Sequence, residues 1–369
     1  MKQKILICHF DLGNGGAEKV LINLLRVLDY SRYDVTLYLL FNHGVNLPFL
    51  PSNVKVKYLF NRAPFRGNIH LLKILSPRLL HKFLIKECYD IEIAFLEGVP
   101  TRIISGCPNR TTKLFAWVHI QAHKKLFSSF RNIREARQSY HRFNKVVFVS
   151  NFAKKSFLTK TSWYDIPLDV CHNVIDAYEI KRLSKEDIHL NLSQTKLNLC
   201  SVGRLNQQKG YIRLVNILGS LKHLATTDWQ LYILGQGEQK QMIETAIIDN
   251  ELQDRIFLLG YDTNPYKYVS KMDLFVCSSY EEGYSTAVTE SIVVGTPVIT
   301  TDCAGMDEIL GDSRSGIIVD NSDQALKDIL ERVLTGNIDI DALKRNAANR
   351  STYFSQSNIK EFEDVINDE

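Results

Sequence analysis

Short apolar runs rich in β-branched residues alternate with stretches of helical periodicity along the whole chain. In the first half these runs are KILICHF, DVTLYLL, VKVKYLF, DIEIAFL, KLFAWVH and KVVFVS. In the second half they are KLNLCSVG, WQLYILG, RIFLLG, LFVCSS, PVITT and GIIVD. Strands that are apolar on both faces and separated by helices are typical of parallel sheets covered on both sides. The pattern therefore predicts an α/β protein built from parallel sheets.

The length of 369 residues suits two domains, each large enough for its own core. The two groups of strands are separated by LDVCHNVIDAYEI and the polar SKEDIHLNLSQTK, so we expect one βαβ-type domain over residues 1–175 and another over 176–354. The tail FSQSNIKEFEDVIND is typical of a final helix at about 355–369. That helix is a candidate to pack back on the first domain.

The composition is that of an ordinary globular protein, with 45% hydrophobic and 23% charged residues. No apolar run reaches the roughly 18 residues that a membrane span needs, and the amino terminus lacks a signal-peptide pattern. The seven cysteines are scattered and form no Cys-x-x-Cys pair. This usage fits a reducing cytosol and argues against a disulfide framework or a zinc site.

Charge is divided unevenly between the two halves. Residues 1–175 carry 26 Lys and Arg against 11 Asp and Glu (26 − 11 = +15), whereas residues 176–369 carry 19 against 30 (19 − 30 = −11). Cations and apolar residues are interleaved over 62–86 and 124–160, as in RLLHKFLI, which suits an anionic membrane surface. A solvated helix face explains a few such cations but not a half-chain of this charge. No nucleic-acid-binding motif is present, so we expect a membrane partner and no nucleic acid.

Two glycine-rich turns follow strands and precede helices. The first, DLGNGGAEKV, contains Gly13, Gly15 and Gly16, which suit either an anion at a helix start or a tight turn without a ligand. It matches neither the Gly-x-Gly-x-x-Gly fingerprint nor a Walker loop. The second, ILGQGEQK, contains Gly235 and Gly237 and favours a structural turn.

The stretch EEGYSTAVTE places Glu282 before a predicted helix and Glu290 within it. The preceding apolar LFVCSS should be a buried strand, and open α/β sheets bind ligands at the carboxyl ends of their strands. Ser285 and Thr286 at the helix start suit a phosphate, while the two carboxylates suit sugar hydroxyls. Any single Glu is usually a solvated surface residue. The pair, combined with Gly283 and these hydroxyls, instead predicts a nucleotide-sugar site.

This stretch resembles the Glu-x7-Glu signature of retaining glycosyltransferases of family GT4. Further matches along the chain are GNGGAEKV, AWVHIQ, VFVSNFAKKSF, SVGRLNQQKG, YILGQGEQ, FLLGY and DCAGMDEIL. The resemblance implies the GT-B fold, in which two Rossmann-like domains face a central cleft. It also implies a hexosyltransferase that uses a nucleotide sugar, here expected to be UDP-linked.

The resemblance assigns roles to particular residues of the second half. Arg204 and Lys209 correspond to the family's diphosphate-binding cations, a role that suits a planar guanidinium and an ammonium point charge. Without the rest of the pattern they would be two surface cations. Glu290 corresponds to the residue that holds the ribose hydroxyls, and Glu282 to the one that contacts the transferred sugar. Further donor-binding candidates are Tyr261, Gly283, Tyr284, Ser285 and Thr286.

In the first half, Gly15 and Gly16 match the family's glycine loop, and Asn173 matches a position before the domain crossing. His119 ends the strand KLFAWVH and corresponds to the active-site histidine near the donor sugar. His9 ends the first strand and is predicted to be structural. Tyr284 stands where phenylalanine is common in the family.

The implied reaction is sugar transfer to an acceptor hydroxyl with retention at the anomeric carbon, which requires no enzymic nucleophile. The resemblance implies no cofactor and no metal, and it places the acceptor in the first domain. That acceptor is expected to be a polyprenyl-diphosphate-linked glycan of cell-surface polysaccharide synthesis, used by an enzyme held peripherally at the inner face of the plasma membrane.

Several other functions remain open from the residues themselves. A paired-carboxylate glycosidase is one, although the family roles of Glu282 and Glu290 argue against it. A nicotinamide oxidoreductase is another, but the dinucleotide fingerprint is missing. A nucleotide-sugar epimerase or hydrolase of the same fold, or a non-catalytic sugar-nucleotide-binding subunit at the membrane, would share these residues.

Overall fold

Two units make up the chain in this computed structural model. The first contains residues 1–176 and 357–369, and the second contains 177–356. The structure describes residues 2–13, 15–65, 72–119, 126–190, 192–311, 314–355 and 359–367.

The strands of the first unit form one parallel sheet in the order β3-β2-β1-β4-β5-β6-β7. They are β1 (Gln3–His9), β2 (Tyr33–Phe41), β3 (Lys55–Phe60), β4 (Ile91–Ala94), β5 (Lys113–Val118), β6 (Lys145–Phe148) and β7 (Leu168–Val170). The central strands β1, β4 and β5 are almost wholly buried, as expected for a sheet covered on both faces.

One strand of this sheet was missed in the sequence. Leu168–Val170 pairs with β6 as a short edge strand, where we expected only the connection between the domains. It is three residues long, half-buried and centred on Asp169, so it lacks the apolar run that identifies the other strands.

The helices of the first unit begin at polar caps in several cases, because a side-chain oxygen there accepts a free backbone N–H. Ser76, Asn132 and Ser150 act in this way. The helices are α1 (Gly16–Val27), α2 (Pro77–Leu84), α3 (Val99–Ile104), α4 (Ile133–Tyr140), α5 (Asn151–Thr161) and α14 (Ile359–Asn367).

The last helix, α14, packs on the first unit. Phe362 is buried, with its ring centroid 5.4 Å from that of Trp117. Glu361 accepts a hydrogen bond from the backbone N–H of His172 at 3.0 Å, and Glu363 pairs with Arg32 at 3.1 Å. The carboxyl-terminal segment therefore belongs to the unit that the amino terminus begins.

The second unit has its own parallel sheet in the order β10-β9-β8-β11-β12-β13. Its strands are β8 (Leu197–Val202), β9 (Trp229–Leu234), β10 (Ile256–Gly260), β11 (Leu274–Cys277), β12 (Val298–Thr301) and β13 (Gly316–Val319). Its helices are α6 (Ala177–Leu183), α7 (Tyr211–Leu221), α8 (Lys240–Asp249), α9 (Tyr266–Val269), α10 (Thr286–Val293), α11 (Met306–Leu310), α12 (Asp323–Leu334) and α13 (Ile340–Ser351). Short 3-10 turns lie at Leu47–Phe49, Gln207–Lys209 and Tyr353–Ser355.

Each sheet has a point where the strand order reverses. In the first unit this switch lies between β1 and β4, and in the second between β8 and β11. Ligands of open α/β sheets bind beside such a switch, at the carboxyl ends of the strands. Within the described residues, no helix combines the length and apolar character needed to cross a membrane.

Candidate functional site

The loops that follow β8 and β11 are hydrogen-bonded to each other at the switch point of the second sheet. The side chain of Gln208 donates to the Glu281 carbonyl at 2.8 Å, and the Tyr280 N–H donates to the Gln208 carbonyl at 2.8 Å. The Ser278 hydroxyl donates to the Lys209 carbonyl at 2.9 Å. These bonds hold the two loops in a fixed register.

Lys209 and Glu282 meet across these loops. Lys209 Nζ lies 2.6 Å from Glu282 Oε1, and the Ser279 hydroxyl donates to the same oxygen at 2.6 Å. Burial favours the neutral amine, but the carboxylate of Glu282 outweighs it and raises the pKa of Lys209 above its usual value. The ammonium therefore stays charged in a largely buried position.

Gly210 makes this approach possible. Its φ of +66° lies in the left-handed region, and a Cβ there would sit 2.2 Å from the carbonyl oxygen of Ser278. Only glycine fits both the backbone conformation and the space. The residue after Lys209 thus fixes how close the β8 loop comes to β11.

Helix α10 begins beside this pair. Ser285 caps it, accepting a hydrogen bond from the Val288 N–H at 3.5 Å, and Thr286 is its first residue. Tyr284 is buried, and Gly305 packs against its ring. A Cβ added to Gly305 would lie 2.8 Å from Tyr284 Cδ2. Lys209, Tyr211, Cys277, Ser279, Ser285 and Ala287 line a small cavity here. Lys209 and Ser285, the N-cap of α10, therefore line the same small cavity.

Glu290 lies one turn into α10 and is buried. The hydroxyl of Tyr266 donates to its Oε1 at 3.3 Å. A buried carboxylate is costly unless hydrogen bonds satisfy it. Glu290 is thus held in place within the second unit and is not a solvated helix residue.

Arg204 and Tyr261 are both exposed. Arg204 lies two residues beyond the end of β8, in the loop that leads to Lys209, so it lies near the same switch point. Tyr261 follows β10, an edge strand two strands away from β8. Its assignment to the nucleobase stays a prediction.

Arg213 is a residue of this site that the sequence analysis missed. It is 5% exposed, and its guanidinium donates to the carbonyls of Ser278 at 3.0 Å and Ser279 at 3.1 Å. It also lies 3.9 Å from the ring centroid of Tyr280. Arg213 therefore fixes the loop that carries Glu282. The available signal was a cation within the otherwise apolar YIRLV.

The second glycine turn packs against the loop after β8, which leads to Lys209. A Cβ on Gly235 would lie 1.9 Å from the Gly203 carbonyl oxygen, and one on Gly237 would lie 2.3 Å from that of Leu205. The turn packs backbone against backbone, which agrees with the structural reading of its glycines.

In the first unit, the glycine loop lies at the end of β1. Gly15 is the N-cap of α1 and Gly16 its first residue. Asn173 lies near the end of edge strand β7 and is buried, and its Oδ1 has no hydrogen-bond partner among the described residues. The structure thus places Asn173 four strands from β1.

His9 ends β1 and His119 directly follows β5, the two strands that flank β4 in the sheet. Burial lowers the pKa of His9 to about 4 and that of His119 to about 3. Both imidazoles are therefore neutral at physiological pH. Glu97 lies between them in the strand order and accepts the His119 backbone N–H at 3.0 Å. Burial raises the pKa of this carboxyl group.

The described residues contain one group of three potential metal ligands: His81, Glu92 and Cys107. His81 Nε2 lies 2.8 Å from Glu92 Oε2, and Cys107 Sγ lies 3.6 Å from Glu92 Oε1. Burial raises the pKa of Cys107 to about 11, which keeps the thiol protonated and a poor ligand. These bonds join α2 to β4 within the core. The expected absence of a metal stays a prediction.

The structure thus assembles most second-half candidates around one switch point: Lys209, Glu282, Gly283, Tyr284, Ser285 and Thr286, with Glu290 behind them. Gly15, Gly16 and His119 lie in the other unit, at the carboxyl ends of β1 and β5. The roles assigned to all of these residues stay predictions.

Comparison with known proteins connects this geometry to an enzyme family. Residues 184–350 match the family model described as glycosyl transferases group 1. The chain is 29% identical over 342 residues to the N-acetylgalactosamine-N,N'-diacetylbacillosaminyl-diphospho-undecaprenol 4-alpha-N-acetylgalactosaminyltransferase of Campylobacter jejuni, covering 89% of this chain and 90% of that protein. It is also 29% identical over 153 residues to an amylovoran biosynthesis glycosyltransferase of Erwinia amylovora, covering 39% of this chain and 37% of the relative.

Solved structures share the fold over the full chain. The crystal structure of HepE from Anabaena in complex with UDP and glucose matches with a TM-score of 0.74 at 17% identity, covering 100% of both chains. Sucrose-phosphate synthase from Thermosynechococcus elongatus matches with a TM-score of 0.77 at 15% identity, covering 100% of this chain and 99% of that one. At these identities the likeness shows the fold alone. It confirms the predicted class of two parallel α/β Rossmann-like domains.

Proposed function

We propose that this chain is a glycosyltransferase of group 1, of the GT4 type, and that it transfers a sugar from a UDP-sugar to a hydroxyl of a polyprenyl-diphosphate-linked glycan. We place the reaction in cell-surface polysaccharide synthesis and assign it retention at the anomeric carbon.

The observation that carries the proposal is the Lys209–Glu282 pair at the switch point of the second sheet. Both hydrogen bonds to Glu282, from Lys209 and from Ser279, fall on Oε1. Within the described residues this leaves Oε2 for a sugar hydroxyl. The ammonium of Lys209 retains N–H groups for a phosphate oxygen, since it has three donors. One pair can thus bind both ends of a sugar–phosphate bond.

The diphosphate would lie between cations and a helix start. Lys209 provides a largely buried charge, Arg204 an exposed one in the loop after β8, and the first N–H groups of α10 add partial positive charge. Donors fixed before reaction stabilise the charge that develops on a leaving group. We propose that these protein groups neutralise the negative charge of the diphosphate and that no metal is required. Glu290 would hold the ribose hydroxyls.

The chemical step balances without an enzymic nucleophile. The bond from the anomeric carbon to the donor phosphate oxygen breaks, and a bond to the acceptor oxygen forms on the same face. The acceptor proton passes to the leaving diphosphate. Within the first unit, we propose that the neutral His119, Gly15 and Gly16 act by hydrogen bonding and not by charge.

The acceptor class is supported by the name of the Campylobacter relative, which describes a diphospho-undecaprenol-linked substrate. The UDP donor is supported by the UDP bound to HepE. A lipid-linked acceptor requires an enzyme at the membrane surface.

One helix of the first unit suits that surface. On α2, Leu79 is 43% exposed and Phe83 is 56% exposed, with exposed Arg78 and Lys82 beside them. Lys86 lies 5.8 Å from the ring centroid of Phe83. Apolar side chains surrounded by cations bind anionic lipid surfaces. We propose that this face holds the enzyme peripherally at the inner leaflet.

Two measurements test the function. Among nucleotide sugars, UDP-sugars should raise the melting temperature most, since a ligand at 100 times its Kd stabilises by about 2.7 kcal/mol. A radiolabelled UDP-sugar should then label a polyprenyl-diphosphate-linked glycan, with an α-linked product by NMR from an α-linked donor. Release of free sugar alone, or an inverted product, would contradict the proposal.

A further inference from the structure

A four-residue helix lies beside the middle of α10 in the second unit. This helix, α9 (Tyr266–Val269), places the buried side chain of Tyr266 next to Glu290. The tyrosine hydroxyl donates to Oε1 of that carboxylate at 3.3 Å. So short a helix makes too few internal hydrogen bonds to hold itself in place. The position of the hydroxyl therefore depends on what anchors α9.

Side chains anchor the start of α9 to neighbouring segments. Asn264 lies two residues before the helix and is buried, and its Nδ2 donates to the Leu183 carbonyl at 2.9 Å and to Glu186 Oε2 at 2.8 Å. Its backbone N–H donates to Asp262 Oδ1 at 2.8 Å, and Asp262 pairs with Lys267 at 3.0 Å. These bonds fix the point at which the helix begins and tie it to the end of α6.

The end of α9 is anchored to the turn that follows α10. The Thr296 hydroxyl donates to the Val269 carbonyl at 2.7 Å, and the Thr296 backbone N–H donates to the Ser291 carbonyl at 2.9 Å. One buried residue thus bonds to α9 with its side chain and to α10 with its backbone. Because the Tyr266–Glu290 bond is a second connection between the two helices, α9 is held in a fixed register along α10.

This register determines how the Glu290 carboxylate is oriented. A carboxylate offers about four lone-pair sites, so one bond from Tyr266 restricts its rotation without using all of its acceptor capacity. The phenol hydroxyl lies at the end of a rigid ring, so its position follows from the anchoring of the helix. An acceptor whose direction is fixed before binding loses less freedom when a ligand hydroxyl donates to it.

We propose that Tyr266 is a positioning residue of the donor site, whose hydroxyl orients the Glu290 carboxylate towards the ribose hydroxyls of the nucleotide. This inference rests on the proposed function, in which Glu290 holds the ribose. Tyr266 acts through Glu290 and is assigned no contact with the nucleotide.

The test measures discrimination between ribose and deoxyribose. The Kd values for UDP, 2′-deoxy-UDP and 3′-deoxy-UDP are determined by titration calorimetry for the wild type and for Tyr266→Phe. In the wild type, loss of a ribose hydroxyl should raise the Kd by about 10–100-fold, as is typical of a hydrogen bond to a charged acceptor. In Tyr266→Phe the Kd for UDP should rise by about 5–10-fold and those for the deoxynucleotides by less, so the ratio of deoxy to ribose Kd falls.

The ratio separates positioning from a structural role. A tyrosine that only supports the fold would raise all three Kd values equally and leave the ratio unchanged. In turnover, Tyr266→Phe should raise the KM for the UDP-sugar and leave kcat nearly unchanged, because the ribose is bound equally in the ground state and the transition state. Tyr232→Phe is the matched control, since the buried Tyr232 donates its hydroxyl to Gln230 Oε1 at 2.9 Å within β9, and all three Kd values should stay at the wild-type level.

Two further variants make the test independent of one substitution. In a Glu290→Gln background, Tyr266→Phe should change the ratio no further, because the carboxylate that it orients is gone. Thr296→Val removes the anchor at the end of α9 but keeps the tyrosine hydroxyl, and it should also lower the ratio. Should Tyr266→Phe fail to fold, Thr296→Val decides the result.

The outcomes distinguish this inference from the proposed function. A wild type that discriminates against the deoxynucleotides, with a Tyr266→Phe variant that does so equally, would overturn the role of Tyr266 alone. A wild type that transfers sugar without such discrimination would overturn the ribose role of Glu290 and this inference with it. A wild type that neither binds a UDP-sugar nor transfers its sugar would overturn the proposed function as well.

Discussion

Lys209 Nζ and Glu282 Oε1 are 2.6 Å apart although 73 residues separate them in the chain. The contact joins the loop after β8 to the loop after β11, at the one place in the second sheet where the strand order reverses. This pair and the start of α10 form the proposed donor site. The contribution of the pair to stability and its contribution to catalysis can be measured separately.

Replacing Lys209 by Met should lower kcat/KM by about 100–1,000-fold, the loss typical of one electrostatic donor in a transition state. It should also destabilise the protein by about 1–3 kcal/mol, because Glu282 loses its buried partner. The double variant K209M/E282Q should recover the stability but not the activity. Activity that returns together with stability would show that the pair is only structural.

Arg213→Lys should lower kcat by about tenfold or more with little change in secondary structure. Lysine keeps the charge but cannot bridge the carbonyls of Ser278 and Ser279 as the guanidinium fork does. Arg255→Lys is the matched control, since Arg255 likewise contacts an aromatic ring, that of Trp229, but at the amino end of β9. Equal effects of both substitutions on turnover would refute a positioning role for Arg213.

Gly210→Ala should destabilise the second unit by about 1–3 kcal/mol more than Gly336→Ala. Both glycines have positive φ, +66° and +74°, so both substitutions carry backbone strain. Only at Gly210 would the new Cβ collide with a backbone carbonyl, since Gly336 has no atom within 4 Å. Urea unfolding curves of the two variants measure the difference, and coincident midpoints would contradict the crowding at Gly210.

Stability should fall as the pH is lowered from about 6.5 towards 4. His9 and His119 have folded-state pKa values lowered by burial to about 4 and about 3, so in this range the unfolded chain binds protons that the folded chain does not. Each pKa unit corresponds to about 1.4 kcal/mol. The raised pKa of Glu97 acts in the opposite direction and offsets part of the loss. The melting temperature of His119→Asn should therefore change less between pH 7 and 5 than that of the wild type. A variant curve parallel to the wild-type curve would exclude His119 as a source of the pH dependence.

Membrane association should depend on the exposed face of α2. Leu79→Ser with Phe83→Ser should abolish co-sedimentation with vesicles rich in anionic lipid, and high salt should weaken the wild-type interaction. Leu224→Ser, at a residue 53% exposed in the second unit, controls for general loss of surface hydrophobicity. Wild-type binding that is insensitive to both the double substitution and salt would argue against this face.

Local patterns were enough to predict most of the fold. Twelve strands were identified from apolar runs, because a strand buried on both faces must be apolar at nearly every position. The edge strand Leu168–Val170 was missed because it is short and half-buried. The signature from Glu281 to Glu290 also identified a helix start at Ser285, where a local cap can be read from the residue type.

Other features depend on contacts between distant segments. No pattern near Arg213 shows that it bonds to carbonyls 65 and 66 residues away, or that His9 Nε2 is buried without a hydrogen-bond partner among the described residues. The sequence determined the elements, because periodicity, caps and glycines act within a few residues. Only the tertiary structure decided which loops meet at each switch point, because strand order and burial are set by the packing of the whole sheet.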